Sequence, residues 1–245
     1  TWSTPRIFRM PIDSDGTIKK TYVAVMGGGM GVGGSGSNVF IINMEDSGSI
    51  AGSGDNIGPI DIIDIEGNGI ANSIPNDPIV ITPDTAQGIP WRGAMVYVND
   101  LEGKITKINL SNQTKFDAGL FDQTTLFRLD ATEENSRYSY FGMEAGIGAS
   151  NGKFYLFGAT GNFQNLGGKE PAMDNILYGF IDVDYPFYKD LNGGKVPLGQ
   201  DVTAFNARAH ELANKARSID NLSGALQVDP GVCLDVTGND GRRHR

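Results

Sequence analysis

Apolar residues in this chain come in short runs broken by glycine, asparagine and aspartate, a pattern that predicts strands and turns rather than long helices. The clearest case is Met95 to Leu110, MVYVNDLEGKITKINL, which reads as a strand, a turn over Asp100 to Gly103 and a second strand. Tyr97 and Val98 are strand formers, and Leu101, Glu102 and Gly103 give the loop length and glycine content that reverse a chain into a hairpin. Looser echoes lie on both sides, at Thr21 to Ile50 and at Gly152 to Val183. Recurrence of one meander unit predicts a repeat architecture, and it directs attention to surfaces and loops.

Residues 2 to 10 read as an entering strand, and Tyr22 to Met26 as a short apolar run stopped by Gly27, Gly28 and Gly29. Val39 to Met44 follows the glycine loop and closes on Glu45, Asp46, Ser47 and Gly48. From Ile50 to Pro90 loops dominate, with Ile60 to Ile65 and Ile79 to Ile81 as short strands. The third unit places Phe154 to Phe157 before a turn at Gly158 to Gly161, then Ile176 to Val183 after a polar insertion. The repeated strands start near residues 22, 96 and 154, about 74 and 58 apart, against roughly 40 to 50 for a propeller blade, so insertions between units are required.

The last part differs. Asp201 is placed to cap a helix in which Val202, Phe205, Ala209, Leu212 and Ala216 recur at intervals of three and four, with Arg208, Glu211, Lys215 and Arg217 on other faces. Packing of that apolar stripe on the domain is its expected use. The expected division is therefore a β domain over 1–200 and a helix with a loop-like tail over 201–245, ending in the basic stretch Arg242 to Arg245.

Composition narrows the classes. Glycine, at 34 of 245 residues, stands at about twice its usual share of roughly 7 percent. The net charge of −9 argues against nucleic-acid binding through phosphate neutralisation and favours cations, basic partners or plain solubility. Cys233 is the single cysteine, which rules out an intrachain disulfide framework. No apolar run reaches the roughly 18 residues of a transmembrane segment. Thr1 opens directly on TWSTPRIFRM, which reads as the middle of a domain, so the chain is expected to be a piece of a longer one.

Chemistry-bearing motifs are few. Gly29, Gly31 and Gly34 satisfy G-x-G-x-x-G, but a dinucleotide site needs a helix opening at once, whose terminal amides hold a pyrophosphate, and Ser37 to Met44 reads as strand. Ser35 stands where a Walker loop requires lysine, leaving a hairpin loop as the expectation. His210 and His244 have no nucleophile in a recognisable context, and no enzyme is expected. Asp64, Glu66, Asn68 and Gly69 follow the rhythm of calcium loops, in which alternate oxygen side chains wrap the ion, with Asn72 as a later ligand. The bidentate glutamate of an EF-hand is missing, so a Ca2+ loop and a solvated turn both remain open there. Asp84, Thr85, Gln87 and Gly88 form a poorer second candidate, while Asn99, Asp100 and Glu102 are either ligands or turn residues. The sequons at Asn109, Asn112 and Asn221 are short enough to arise by chance.

In order, TWSTPRI, TYVAVMGGGM, VYVNDLEGKITKINL and YLFGATGN followed by ILYGFIDV resemble the carboxyl-terminal domain of the PilC/PilY family of type IV pilus tip adhesins and biogenesis proteins. The likeness runs from residue 2 to about residue 185. It implies an all-β fold, a modified β-propeller of antiparallel meander blades with long loop insertions, here with one added carboxyl-terminal helix. It also implies an extracellular place at the pilus tip or outer surface of a Gram-negative bacterium. Pilin or minor pilin subunits and a host or abiotic surface would be the partners, in pilus assembly, retraction control and adhesion. Several members bind calcium through a D-x-[DN]-x-D-G-x-x-D loop before the Y-x-x-D unit. At that place this chain has TPDTAQGIPWRGAMVYVND, where only Asp84 and Gly88 match, and Met30 replaces the aromatic residue usual after the triple glycine.

The expectation is thus a non-enzymatic surface domain, with Ca2+ at Asp64, Glu66, Asn68 and Asn72 as the metal reading. Its rivals are a quinoprotein-like propeller oxidoreductase, a class that relies on an adjacent cysteine pair, and a structural module of a surface layer or filament.

Overall fold

In a computed structural model of the chain, the residues described are 2–14, 17–31, 36–45, 60–65, 67–82, 94–110, 122–169, 171–182, 185 and 196–197. The turn at Asp100 to Gly103 shows how the sequence makes its strands. Gly103 takes φ +71°, a left-handed conformation that costs glycine little, and its amide donates to the Asp100 carbonyl at 3.0 Å. The Asp100 carboxylate accepts from the Lys104 amide at 3.0 Å, and the chain leaves the turn in register, Val98 opposite Thr106 and Tyr97 opposite Lys107. The predicted hairpin is present: β6 (Met95–Asn99) and β7 (Lys104–Asn109) are antiparallel.

Three antiparallel sheets follow one another along the chain. The first runs β1 (Arg6–Ser14), β2 (Thr17–Gly27), β3 (Asn38–Asn43) and β4 (Ile60–Asp61) in sequence order. The second joins β5 (Ile79–Ile81), β6, β7 and β8 (Asp122–Arg128), with β12 (Val196–Pro197) on the outer side of β8. The third holds β9 (Glu144–Ile147), β10 (Phe154–Ala159) and β11 (Leu177–Asp182). The fold is all-β. Among the described residues no sheet closes on itself, and the helical content is one 3-10 turn at Phe163–Asn165.

The second sheet lies between the other two. Val96, Val98, Ile108 and Leu110 pack with Val23, Val25, Val39, Ile41, Ile60 and Ile62 of the first sheet and its exit loop. On the opposite face Met95, Tyr97 and Ile105 pack with Phe154, Leu156, Tyr178 and Phe180 of the third. All of β6, and β7 from Lys104 to Ile108, is buried in consequence. Alternation sorts the side chains to the two faces, since neighbours along a strand point to opposite sides.

Tyr22 to Met26, Val39 to Met44, Ile79 to Ile81 and Phe154 to Phe157 fall on strands, with ends shifted by a residue or so, and of the Ile176 to Val183 run Leu177–Asp182 is strand while Val183 lies outside the described residues. Of the Ile60 to Ile65 run only Ile60 and Asp61 pair. The Gly158 to Gly161 turn starts later than expected, because β10 continues to Ala159. β8 and β9 carry no strong apolar signal. In β8 the reason is chemical: Gln123 is buried by bonding, giving its amide to the Asp61 carbonyl at 2.7 Å and accepting from the Ile63 amide at 3.4 Å. The element after the glycine loop is β3, a strand, so no helix end meets Gly29 and Gly31 as a pyrophosphate would need. The helix expected at 201–217, the 201–245 unit, Asp84 to Gly88, Cys233, His210, His244, Asn112 and Asn221 lie outside the described residues.

Gly103 and Gly67 give a paired test. Both have positive φ, but a Cβ on Gly103 would stand 2.8 Å from the Leu129 Cβ, whereas one on Gly67 meets nothing within 4 Å. Gly67→Ala is expected to cost roughly 1 kcal/mol and Gly103→Ala at least about twice that, read by urea unfolding at a common m-value.

Candidate functional site

The β6–β7 turn builds an ionic centre inside the protein. Lys104 is fully buried, and its Nζ donates to Asp100 Oδ2 at 2.5 Å and to Glu102 Oε2 at 3.2 Å. Asp100 and Glu102 are themselves 1% exposed. Glu102 also holds the loop after β4, accepting from the Ile65 amide on both oxygens at 3.1 Å and from Asn68 Nδ2 at 2.8 Å. Asp64 approaches the same carboxyl from the exposed edge of that loop.

Electrostatics in this centre favour bound protons. Burial pushes Glu102 up to about 8; Lys104 pulls it down, while Asp100 and a hydrogen bond with Asp64 push it further up. Burial also raises Asp100 against the opposing pull of Lys104. For Lys104 burial works against the ammonium, but Asp100 and Glu102 outweigh it and hold the amine above its ordinary value. Two acidic side chains thus converge on an internal cation that the chain itself supplies, and Asp64 hydrogen-bonds to one of them.

The residues expected to ligate calcium divide accordingly. Asp64 and Asn68 come together at Glu102. Asn68 uses its other amide atom locally, Oδ1 accepting from the Ile70 amide at 2.9 Å, an Asx turn. Asn72 turns to the Ile62 carbonyl, donating from Nδ2 at 2.5 Å. Glu66 lies outside the described residues. Among the described residues no three His, Cys, Asp or Glu side chains are grouped for a metal ion. The sequence reading missed Lys104; a lysine two positions beyond Glu102, at the start of a strand buried on both faces, was its only signal.

A second buried centre fastens the middle sheet to the third. Asp182 Oδ2 accepts from Lys107 Nζ at 2.6 Å and from the Tyr97 hydroxyl at 2.8 Å, with all three side chains buried. Burial, reinforced by the Asp182 charge, holds the Tyr97 phenol well above its ordinary value.

The end of the stack that carries the β6–β7 turn gathers the connecting loops. Asn76 Nδ2 donates to the carbonyls of Asn99 at 2.8 Å and Ser139 at 3.0 Å, and Asn99 Nδ2 donates to the Phe141 carbonyl at 2.9 Å. One side-chain amide therefore bridges the β4–β5, β6–β7 and β8–β9 connections. No helix among the described residues is long and apolar enough to cross a membrane. No protein-family model, curated protein or solved structure matches the chain.

The raised Glu102 gives stability a pH dependence of definite sign. Its folded value of about 8 lies above the ordinary 4.5, so the contribution is complete below about 4.5 and is lost as pH rises through about 8. Unfolding free energy should decline between those limits, and Glu102→Gln should flatten that decline; denaturant titrations at half-unit pH steps measure it. For the second centre, Lys107→Met alone should cost about 3 to 5 kcal/mol by leaving the Asp182 charge buried without its ammonium, and Lys107→Met with Asp182→Leu should recover most of it.

Proposed function

We propose that this chain is a propeller-type surface domain of a type IV pilus-associated adhesin and biogenesis protein, without enzymatic activity. The observation that carries the reading is the middle sheet. It is a meander covered on one face by the meander before it in the chain and on the other by the meander after it, as consecutive blades of a propeller cover one another. The motifs that resemble the PilC/PilY family fall along these sheets in order, one of them on the buried β6–β7 hairpin, and their order supports the reading more than any one of them.

In mechanism, two buried ionic centres fix the hairpin, and the hairpin fixes the loops at its turn end. Those loops form the surface offered to a pilin subunit or to a host or abiotic surface. A domain that acts by presenting loops needs a scaffold whose loop ends do not shift, and the Asn76 bridge supplies that constraint across three connections.

Calcium enters this reading at Asp64 and Glu102. Calcium titrated into the wild type is expected to give heats that grow with pH, because the proton held by the raised Glu102 must leave, and Asp64→Ala should abolish them. Equal heats from both proteins would return the loop to a plain turn.

Piliation tests the function itself. In the parent organism, an in-frame deletion of the segment encoding 94–128 is expected to reduce surface pili and adhesion while pilin levels stay constant. Unchanged piliation and adhesion would refute the proposal. Tight binding of pyrroloquinoline quinone with dye-linked alcohol oxidation would replace it with the oxidoreductase reading.

A further inference from the structure

The loop end of the stack holds an open pocket of about 220 Å³ lined chiefly by Trp2, Met30, Pro75, Tyr140, Phe141 and Phe163. Its residues come from the entry to β1, the β2–β3, β4–β5 and β8–β9 connections, and the 3-10 turn after β10. Phe163 is the hub. The Trp2 ring lies 5.9 Å from it at 86°, the Phe141 ring 5.9 Å at 88°, and the Tyr140 ring 6.3 Å at 49°. Rings packed at steep angles to one another along the wall of one open volume are the arrangement from which aromatic cages are built.

Each wall is fixed from behind. The Ser3 hydroxyl accepts from the Gly27 amide at 2.9 Å and Asp77 Oδ1 from the Thr4 amide at 2.5 Å, which hold the segment that carries Trp2. Arg137, 8% exposed, donates to the Leu129 and Asp174 carbonyls, each at 3.2 Å, and pairs with the Asp174 carboxylate, anchoring the loop of Tyr140 and Phe141. Asn162 caps the turn of Phe163, its Oδ1 accepting from the Gln164 amide at 3.0 Å. The site is preorganised although Trp2, Phe141 and Phe163 are 73%, 61% and 42% exposed.

The lining selects a ligand class. Gln164 also lines it, and among the described residues no charged side chain does. A phosphate or carboxylate would find no cation there, and a sugar too few hydrogen-bond partners. Arg6 stands nearby but is matched by Asp77 at 3.8 Å. A quaternary ammonium group needs no hydrogen bonds, is attracted by ring faces and is favoured by a net charge of −9. The volume is below the roughly 300 Å³ of a drug-sized site and suits a small head group.

We propose that this pocket binds a free choline-type ligand through its trimethylammonium group. The binding does not depend on the pilus reading.

Calorimetric titration of the whole chain with choline chloride tests it, against sodium chloride at equal ionic strength and against 3,3-dimethyl-1-butanol, the neutral isostere. Saturable choline binding is expected, with the isostere weaker by roughly tenfold or more. Phe163→Ala and Phe141→Ala should each weaken choline by roughly tenfold, and Phe141→Ala, on an exposed rim, should leave the unfolding midpoint unchanged. Failure to saturate, equal affinity for the isostere, or wild-type affinity in both variants would overturn the assignment. So would retention on phosphatidylcholine vesicles without a response to free choline, which would move the site to a lipid head group.

Discussion

Burial of the β6–β7 hairpin on both faces is the constraint on which the rest of this structure depends. A strand covered on one side alternates apolar and polar residues, but a strand covered on both must bury everything it carries. β7 carries Lys104, Thr106 and Lys107, so its burial is possible only if each ammonium meets carboxylate inside the protein. Asp100 and Glu102 answer Lys104 within the same turn, whereas Lys107 is answered by Asp182, 75 residues away on the third sheet.

Those two solutions do different structural work. The Lys104 centre is local in sequence but reaches outward, because Glu102 also binds the Ile65 amide and Asn68 and so clamps the loop leaving the first sheet. The Lys107 centre is the long-range fastening between the second and third sheets. Buried ion pairs recover little net stability once desolvation is counted, but they punish any other register severely, since a slipped strand leaves a charge buried and alone. Specific alignment of three sheets is the property that these groups confer.

Alignment matters because the function proposed for this chain belongs to the loops. Trp2, Met30, Pro75, Phe141 and Phe163 come from positions spread over 162 residues, and the pocket exists only where those separate segments meet. They meet because the entry to β1, the end of β2 and the exits from β8 and β10 all lie at one end of the stack. The exposed aromatic end and the charged interior are thus two outcomes of one register.

Much of the architecture was legible along the chain. The apolar runs at Tyr22, Val39, Tyr97, Phe154 and Ile176 marked strands, and the turn chemistry of Asp100 and Gly103 marked the hairpin, because both signals are local: side-chain branching, and backbone angles that few residues tolerate. β8 was not legible, since Gln123 is buried through hydrogen bonds that only a folded partner provides. Nor was the role of Asp100 and Glu102, which read as turn residues or ligands until Lys104 came between them. The sequence by itself determined that the chain is acidic and glycine-rich and that its first 185 residues are built of short strands and turns, because periodicity and turn preference act over a few residues. Only the tertiary structure decided which charges are internal and which aromatic rings share a pocket, because desolvation and concavity are properties of distant segments brought together.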